Sequence, residues 1–304
     1  MGHSHSHGPA RLTRAFAIGI GLNLAFVAVE AGYGLMAHSL ALVADAGHNL
    51  SDVLGLVLAW GATVLARRAP THRHTYGLGR SSILAALANA ALLLIAVGAI
   101  GLEAVRRFGN PQPVATGTVM WVAAVGIVIN GLTALLFHAG HKHDLNVRGA
   151  FLHMVADAAV SLGVVIAAAI IMLTGWTWVD PVISLVIAAV IVAGTWGLLR
   201  DSVNLALDAV PESVDAQAVQ RYLASLPGVT EVHDLHIWAM STTETALTTH
   251  LIRPEGADDR ILSEATRALH DQFGIEHCTI QMEQGRPEYP CRFCPAPVPA
   301  RGAA

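Results

Sequence analysis

Six long apolar segments constrain this chain more than any other feature of its sequence. Each has close to the 20 or so residues that an α-helix needs to cross about 30 Å of hydrocarbon. Because lipid offers no hydrogen-bond partner to the backbone, apolar segments of this length are expected to span a membrane as helices. The sequence therefore predicts a six-helix transmembrane bundle. The segments cover residues 15–36, 40–66, 83–105, 119–137, 150–173 and 179–199.

The composition agrees with a membrane protein and argues against a nucleic-acid-binding protein. Hydrophobic residues make up 54% of the chain and charged residues only 13%, against about 25% charged residues in an average soluble domain. The formal net charge of -4 gives no global basic surface of the kind that binds nucleic acid. The first apolar segment is long and has no small-residue cleavage site after it, so we expect no removable signal peptide.

After Arg200 the pattern changes to short strands and amphipathic helices, which indicates a soluble domain. Two helices on one face of a three-stranded sheet would make an α+β domain in the order αββαβ. The predicted helices are 214–226 and 257–273, and the predicted strands are 232–240, 245–253 and 277–283. We divide the chain into a His-containing segment (1–14), a transmembrane domain (15–202), the α+β domain (203–286) and a Cys- and Pro-containing tail (287–304).

The positions of Lys and Arg predict the orientation in the membrane, because basic residues beside spans favour the cytoplasmic side. One side carries Arg106 and Arg107 alone. We therefore expect a multi-pass protein of the inner (cytoplasmic) membrane, with both termini and the α+β domain in the cytoplasm. The other, cytoplasmic side carries Arg11, Arg14, Arg67, Arg68, Arg73, Arg80, Lys142, Arg148 and Arg200.

Two of the apolar segments contain a histidine four residues before an aspartate. His48 and Asp52 lie in the second segment, and His153 and Asp157 lie in the fifth. Residues four apart stack on one face of a helix. At 1.5 Å per residue, both pairs fall near the middle of the bilayer. On insertion scales, placing such a carboxylate at the centre of a membrane helix costs about 2.5–3.5 kcal/mol. We therefore expect these side chains to have a function.

Two imidazoles and two carboxylates can supply the four nitrogen and oxygen ligands of a tetrahedral Zn²⁺ site. A divalent cation would neutralise both buried carboxylates, and protons would take that role when the metal leaves. The exchange predicts a metal/proton antiporter with zinc and protons as substrates. Nitrogen and oxygen ligands also bind Co²⁺, Cd²⁺ and Ni²⁺, so the pattern leaves the ion open.

Three other interpretations of the same residues were weighed. The polar side chains could form separate hydrogen bonds that only hold the helices together. An intramembrane metallohydrolase would need an open metal position and a general base, yet the chain has no H-E-x-x-H motif. A membrane-anchored metal sensor would not need polar residues at the midplane. The repeated spacing at one depth favours the transporter over all three.

Two further polar residues lie near the proposed site. Asp45, three residues before His48, is expected to start the helix or to line an access path. Asn23 shares a helix face with Glu30, seven residues later, and is expected to line a cavity or to bond a neighbouring helix. Neither is placed among the metal ligands.

Five motifs in the chain match those of a known family: ADAGHNLSD (44–52), HTYGLGR (74–80), FLHMVADAAVSLGVV (151–165), DP (180–181) and GVTEVHDLHIW (228–238). With these motifs the chain resembles the cation diffusion facilitators, which are six-helix zinc/proton antiporters with a cytoplasmic tail domain. The resemblance covers nearly the whole chain. It implies that His48, Asp52, His153 and Asp157 form the transport site, with zinc preferred over cadmium. It also implies a homodimer, export by rocking of helices and a ferredoxin- or metallochaperone-like tail domain.

The chain departs from the family pattern at two secondary metal sites. In the loop after the second span, His72 and His74 match, but Leu78 stands where a third ligand is expected. In the tail domain, Gln281 stands where a histidine would complete a cluster. We therefore expect no complete loop site and at most a reduced tail site. The matching tail residues are His233, His250 and Glu283.

The two ends of the chain carry further metal-binding residue types. His3, His5 and His7 form a short His-rich tract that would collect metal weakly near the inner mouth, as would His72 and His74. Cys291 and Cys294 form a C-x-x-C pair, which is half of a zinc site. His233, His277, Cys278 or the partner's N-terminus would supply the rest. With only three cysteines, we expect reduced thiols in the cytosol rather than disulfides.

Overall fold

The computed structural model describes residues 14–110, 112–138 and 145–285. Six long α-helices come first, as the apolar segments predict. Four of them contain stretches long and apolar enough to cross a membrane, and α1 adds the shorter apolar stretch Leu24–Met36. The helices are α1 (Arg14–Met36), α2 (Leu40–Ala66), α3 (Ser81–Gly109), α4 (Thr116–His138), α5 (Leu145–Thr174) and α6 (Val179–Ala206).

The first compact unit comprises residues up to Val57 together with Ala88–Leu198. Its core is a band of interlocking apolar side chains that includes Phe26, Leu42, Val97 and Val164. Helix α4 approaches its neighbours closely at Gly126, where an added Cβ would lie 2.8 Å from the Phe26 ring and 3.2 Å from Ser161 Oγ. The absence of a side chain therefore allows α4 to pack tightly here.

The second compact unit comprises Leu58–Leu87 and the chain from Leu199 onward. Its elements are α7 (Ala216–Ala224), β1 (Glu231–Ala239), β2 (Thr245–Ile252), α8 (Asp259–Phe273) and β3 (His277–Glu283). The sheet has the order β1-β2-β3, with β1 antiparallel and β3 parallel to the central β2. The αββαβ order and the α+β class are confirmed.

Local sequence signals set the ends of the two short helices. Asp215 caps α7 by accepting from the N–H groups of Gln217 and Ala218, and Asp258 caps α8 in the same way. Gly274 ends α8 in the left-handed conformation, with φ 65°. These helices cover one face of the sheet, where Leu223, Leu247, Leu251 and Leu269 share a core.

The Leu58–Leu87 segment contacts the α+β domain within the second unit. The guanidinium of Arg80 donates to Asp208 at 2.5 Å, and the Thr242 N–H donates to Ser82 Oγ at 3.0 Å. A Cβ atom added at Gly79 would lie 3.0 Å from the carbonyl oxygen of Met240, so Gly79 also lies close to the α+β domain.

Candidate metal transport site

One face of α2 carries four polar residues in a part of the chain that is otherwise apolar. Asp45, His48, Asn49 and Asp52 follow one another at spacings of three, one and three residues, so they line a single helix face. Asp45 and Asn49 are buried, and His48 and Asp52 are partly exposed.

Helix α5 presents a matching row at spacings of four. His153, Asp157 and Ser161 share one face. Asp157 and Ser161 are buried, whereas His153 is half-buried. The two rows belong to the same compact unit and meet between the helices.

The structure brings together the four residues that the sequence singles out. His48 Nε2 lies 3.7 Å from an oxygen of Asp52 and 3.7 Å from an oxygen of Asp157. His153 Nε2 lies 3.1 Å from Asp52 Oδ2 and 3.6 Å from Asp157 Oδ2. The imidazole rings face each other edge to face, with centroids 5.9 Å apart.

These separations suit a small tetrahedral cation. Ligand atoms about 2.0–2.1 Å from zinc, at tetrahedral angles, lie about 3.3–3.4 Å from one another. The four imidazole–carboxylate distances of 3.1–3.7 Å bracket that value. Ligand atoms of His48, His153 and Asp157 all lie within 4.8 Å of one another. Asp52 borders this group of three, with its Oδ2 3.1 Å from His153 Nε2.

Exposure of these side chains rises in one direction along the bundle. On α2, Asp45 is fully buried, the His48 side chain is 24% exposed and Asp52 is 36% exposed. On the antiparallel α5, Asp157 is 3% exposed and His153 is 39% exposed. The exposure of the cluster's side chains therefore increases toward the end of α2 and the start of α5.

Asp45 belongs to a buried polar network on the less exposed side of the cluster. Its carboxylate accepts from Ser161 Oγ at 2.9 Å, and the nearby Glu30 of α1 accepts from Asn49 Nδ2 at 3.2 Å. Asp45 does not start the helix, because Ser39 and Asp180 cap that end. The side chain of Asn23 lies outside the described part of the structure.

Sequence reasoning missed Ser161 and Asn49 and gave Glu30 no part in the site. The signal was present in the spacing, since Ser161 follows Asp157 by four residues and Asn49 follows Asp45 by four. Hydroxyl and amide side chains are common in membrane helices for packing alone, so their spacing carries less weight than that of charged residues.

A second cluster lies on the open face of the tail sheet. His233 Nε2 lies 3.1 Å from Glu283 Oε2, and His250 Nδ1 lies 2.9 Å from Glu283 Oε1. His233 pairs with His250 across β1 and β2, and their rings are 5.1 Å apart. Gln281 pairs with His250 from the other side and donates to Glu283 at 2.8 Å. The three residues expected from the sequence therefore meet.

Two residues proposed as partners for the Cys pair lie away from this cluster. Cys278 pairs with Leu247 and packs on the helix-covered face, where its thiol donates to Thr266. His277 stands at the opposite end of β3 from Glu283 and packs edge-on against Tyr76, with centroids 5.6 Å apart. The pleat and the strand length thus separate both from His233.

The remaining candidates divide into exposed residues and residues that the structure does not describe. His72 and His74 are exposed, and in the described part of the chain neither joins a group of three metal-ligating side chains. Outside the described residues lie His3, His5, His7, Cys291 and Cys294.

Long apolar helices that enclose a polar cluster, followed by a small α+β domain, are typical of membrane transporters, in which ionisable residues within the spans mark an ion pathway. Residues 16–205 match the family model for the cation efflux transmembrane domain, and residues 211–285 match that for the cation efflux protein, cytoplasmic domain. The chain belongs to the cation efflux family.

Curated relatives align along most of their length. The zinc transporter ZitB of Escherichia coli is 40% identical over 291 residues, covering 93% of each chain. The metal cation efflux system protein CzcD of Cupriavidus metallidurans is 37% identical, over 93% of this chain and 90% of its own. A cadmium, cobalt and zinc/H(+)-K(+) antiporter of Bacillus subtilis is 35% identical, over 93% and 92%.

Proposed function

We propose that this protein exports Zn²⁺ from the cytoplasm in exchange for protons. The observation that carries the proposal is the meeting of His48, Asp52, His153 and Asp157, with imidazole–carboxylate distances of 3.1–3.7 Å. The zinc named for ZitB and the zinc, cadmium and cobalt named for the Bacillus subtilis antiporter support a divalent metal as substrate.

Proton coupling follows from the chemistry of the ligands. Imidazole binds a metal only when one ring nitrogen is unprotonated, and carboxylates bind as anions, so metal binding displaces protons. After the ion leaves, two carboxylates at the midplane of a membrane would be left without a counter-charge, which favours their protonation. Protons that enter from the outside therefore displace zinc outward, and an inward proton gradient drives export.

The exposure of the ligands supports an inward-facing conformation. The exposure of the cluster's side chains increases toward the end of α2 and the start of α5, and the loops beyond those ends carry the basic residues expected on the cytoplasmic side. In this orientation both termini are cytoplasmic, and cytosolic zinc reaches His153 and Asp52 first. Alternating access would close this side and open the side of Asp45.

We propose that the protein works as a homodimer and that its tail domain binds metal at a reduced site. A match to the family's cytoplasmic domain supports the tail's role in assembly. The site consists of His233, His250 and Glu283, and Glu283 bridges the two imidazoles at 3.1 and 2.9 Å. Three ligands leave a fourth zinc position for water or another group.

Reconstituted proteoliposomes test the transport proposal. An imposed pH gradient, acidic on the side opposite the cytoplasmic face, should drive zinc movement by the wild type and proton movement in the opposite sense. Asp52→Ala or Asp157→Ala should abolish both fluxes while the protein still assembles. Glu212→Gln, an exposed carboxylate in the second unit, is the control. Intact coupled flux in either aspartate variant would refute the site.

A further inference from the structure

A second group of buried charges sits at the start of α2, away from the metal ligands. It comprises Ser39, Arg107 and Asp180, together with the His38 carbonyl, and we call it the α2 clasp. Asp180 belongs to α6, Arg107 to the end of α3, and Ser39 directly precedes α2. Asp180 is 2% exposed and Ser39 is 1% exposed, so the clasp is inside the protein.

Asp180 caps α2 from another helix. Its Oδ2 accepts from the Leu40 N–H at 2.9 Å, and its Oδ1 accepts from the Ser39 hydroxyl at 2.6 Å. The Ala41 N–H also points to Oδ1, at 3.4 Å. The first N–H groups of a helix have no partner within it, and a carboxylate there also complements the helix dipole. Helix caps usually come from the residue next to the helix, but Asp180 lies about 140 residues away in sequence.

Arg107 supplies the counter-charge and a second link. Its guanidinium Nη1 lies 3.6 Å from Asp180 Oδ2 and also donates to the His38 carbonyl. His38 has a positive φ of 54°, in the tight turn between α1 and α2. The side chain of Arg107 is 13% exposed. A buried carboxylate with three donors and a paired cation is satisfied, and removal of Arg107 would leave Asp180 without its cation. Arg107 itself also pairs with Glu103, at 3.5 Å.

We infer that Asp180 is a positioning residue for the transport site, an inference that rests on the proposed function. It holds the start of α2 against α3 and α6, and α2 carries His48 and Asp52. The other two ligands are on α5, which does not take part in the clasp. The clasp therefore sets the depth and rotation of one ligand pair relative to the other. A misplacement of about 1 Å at such a site can cost about 100-fold in function.

The ratio of zinc to cadmium transport separates this role from a purely structural one. Loss of folded protein lowers both fluxes equally and leaves the ratio unchanged. A shift of α2 alters the ligand spacing, and Cd²⁺ is larger than Zn²⁺, so the ratio changes. In proteoliposomes, Asp180→Asn and Arg107→Gln should each raise the apparent KM for zinc. Each should also change the zinc/cadmium ratio by about 10-fold, which is less than the loss of about 100-fold in function expected for a displacement of about 1 Å.

Matched controls are Asp201→Asn on the same helix as Asp180, and Arg106→Gln next to Arg107; both should keep the wild-type ratio. If Asp180→Asn cannot be purified as folded protein, Arg107→Gln and Ser39→Ala carry the same test. An unchanged ratio and KM in the purified clasp variants, beside an active wild type, would overturn the positioning role alone. Absence of zinc transport by the wild type would refute the proposed function itself, and the inference with it.

Discussion

The nitrogen ligand on α2 distinguishes this site from an all-carboxylate pair at the same spacing. In the proposed site His48 would bind the ion through one nitrogen atom, whereas a carboxylate at this position can bind through both oxygens. Its Nε2 lies 3.7 Å from both aspartates, which leaves room for a small ion with four ligands. A second oxygen donor would favour a larger ion with more ligands.

His48→Asp should therefore relax selectivity rather than abolish transport. Zinc flux should fall and cadmium flux should rise relative to it, with a change in the ratio of about 10-fold, or about 1.4 kcal/mol. The measurement is competitive uptake of the two ions into proteoliposomes. His270→Asp, at an exposed residue of α8 in the tail domain, is the control. A ratio unchanged in His48→Asp would exclude His48 from the ligands that select the ion.

At the scale of the helices, close packing around Gly126 of α4 positions the residues beside the site. Ser161 holds Asp45 and also lies 3.2 Å from the Cβ position of Gly126 on α4, so a larger residue there disturbs both the core and the polar network. The ring of Phe26 on α1 lies 2.8 Å from the same Cβ position, so a side chain at residue 126 would also clash with α1.

Gly126→Ala should destabilise the bundle by about 1–3 kcal/mol, because overpacking forces Phe26 or Ser161 to move. Gly131→Ala on the same helix has open space around its Cβ. This control should be neutral or should gain up to about 1 kcal/mol from helix propensity. Thermal unfolding in detergent measures both. Equal stability of the two variants would contradict the close approach of α4.

The elements could be predicted because the thickness of a bilayer fixes helix length. The second apolar segment, 40–66, coincides with α2. Helix α5 begins at Leu145, five residues before the predicted start, because its first turn is polar and hydropathy does not detect it. In the tail, β3 has the predicted bounds, and β1 and β2 differ by one residue at their ends.

The two His–Asp pairs could be predicted to share a helix face each, because residues four apart stack on a helix. Contacts between distant segments could not. In the sequence Asp180 stands out only through the DP motif, and Arg107 only as a basic residue beside a span, yet in the fold Asp180 contacts both Ser39 and Arg107. The separation of Cys278 from His233 depends on strand register, which the sequence of β3 alone does not define.

At the scale of the whole molecule, the two histidine clusters lie in different compact units. The transport cluster lies in the first unit and the tail cluster in the second. The proposed ligand sets differ as well, with two carboxylates in the first and one in the second. They can therefore be tested independently.

Glu283→Gln should reduce metal binding without stopping transport. The amide cannot bridge His233 and His250 as an anion, so the purified protein should bind about one zinc ion fewer per chain at micromolar zinc. Zinc flux should stay within about twofold of the wild type, since the transport ligands are untouched. Equilibrium dialysis and vesicle uptake measure the two quantities, and Glu276→Gln in the same domain is the control. Unchanged stoichiometry would remove the tail cluster from the metal sites.

X-ray absorption at the zinc edge tests most directly whether four side chains share one ion in the membrane domain. The measurement uses the Glu283→Gln protein loaded with one zinc ion per chain, alone and with His153→Ala added. The account predicts a shell of four nitrogen and oxygen ligands at about 2.0–2.1 Å, with imidazole scattering that drops by about half in the His153→Ala protein. A zinc shell dominated by sulfur, or imidazole scattering that the His153 substitution leaves unchanged, would contradict it.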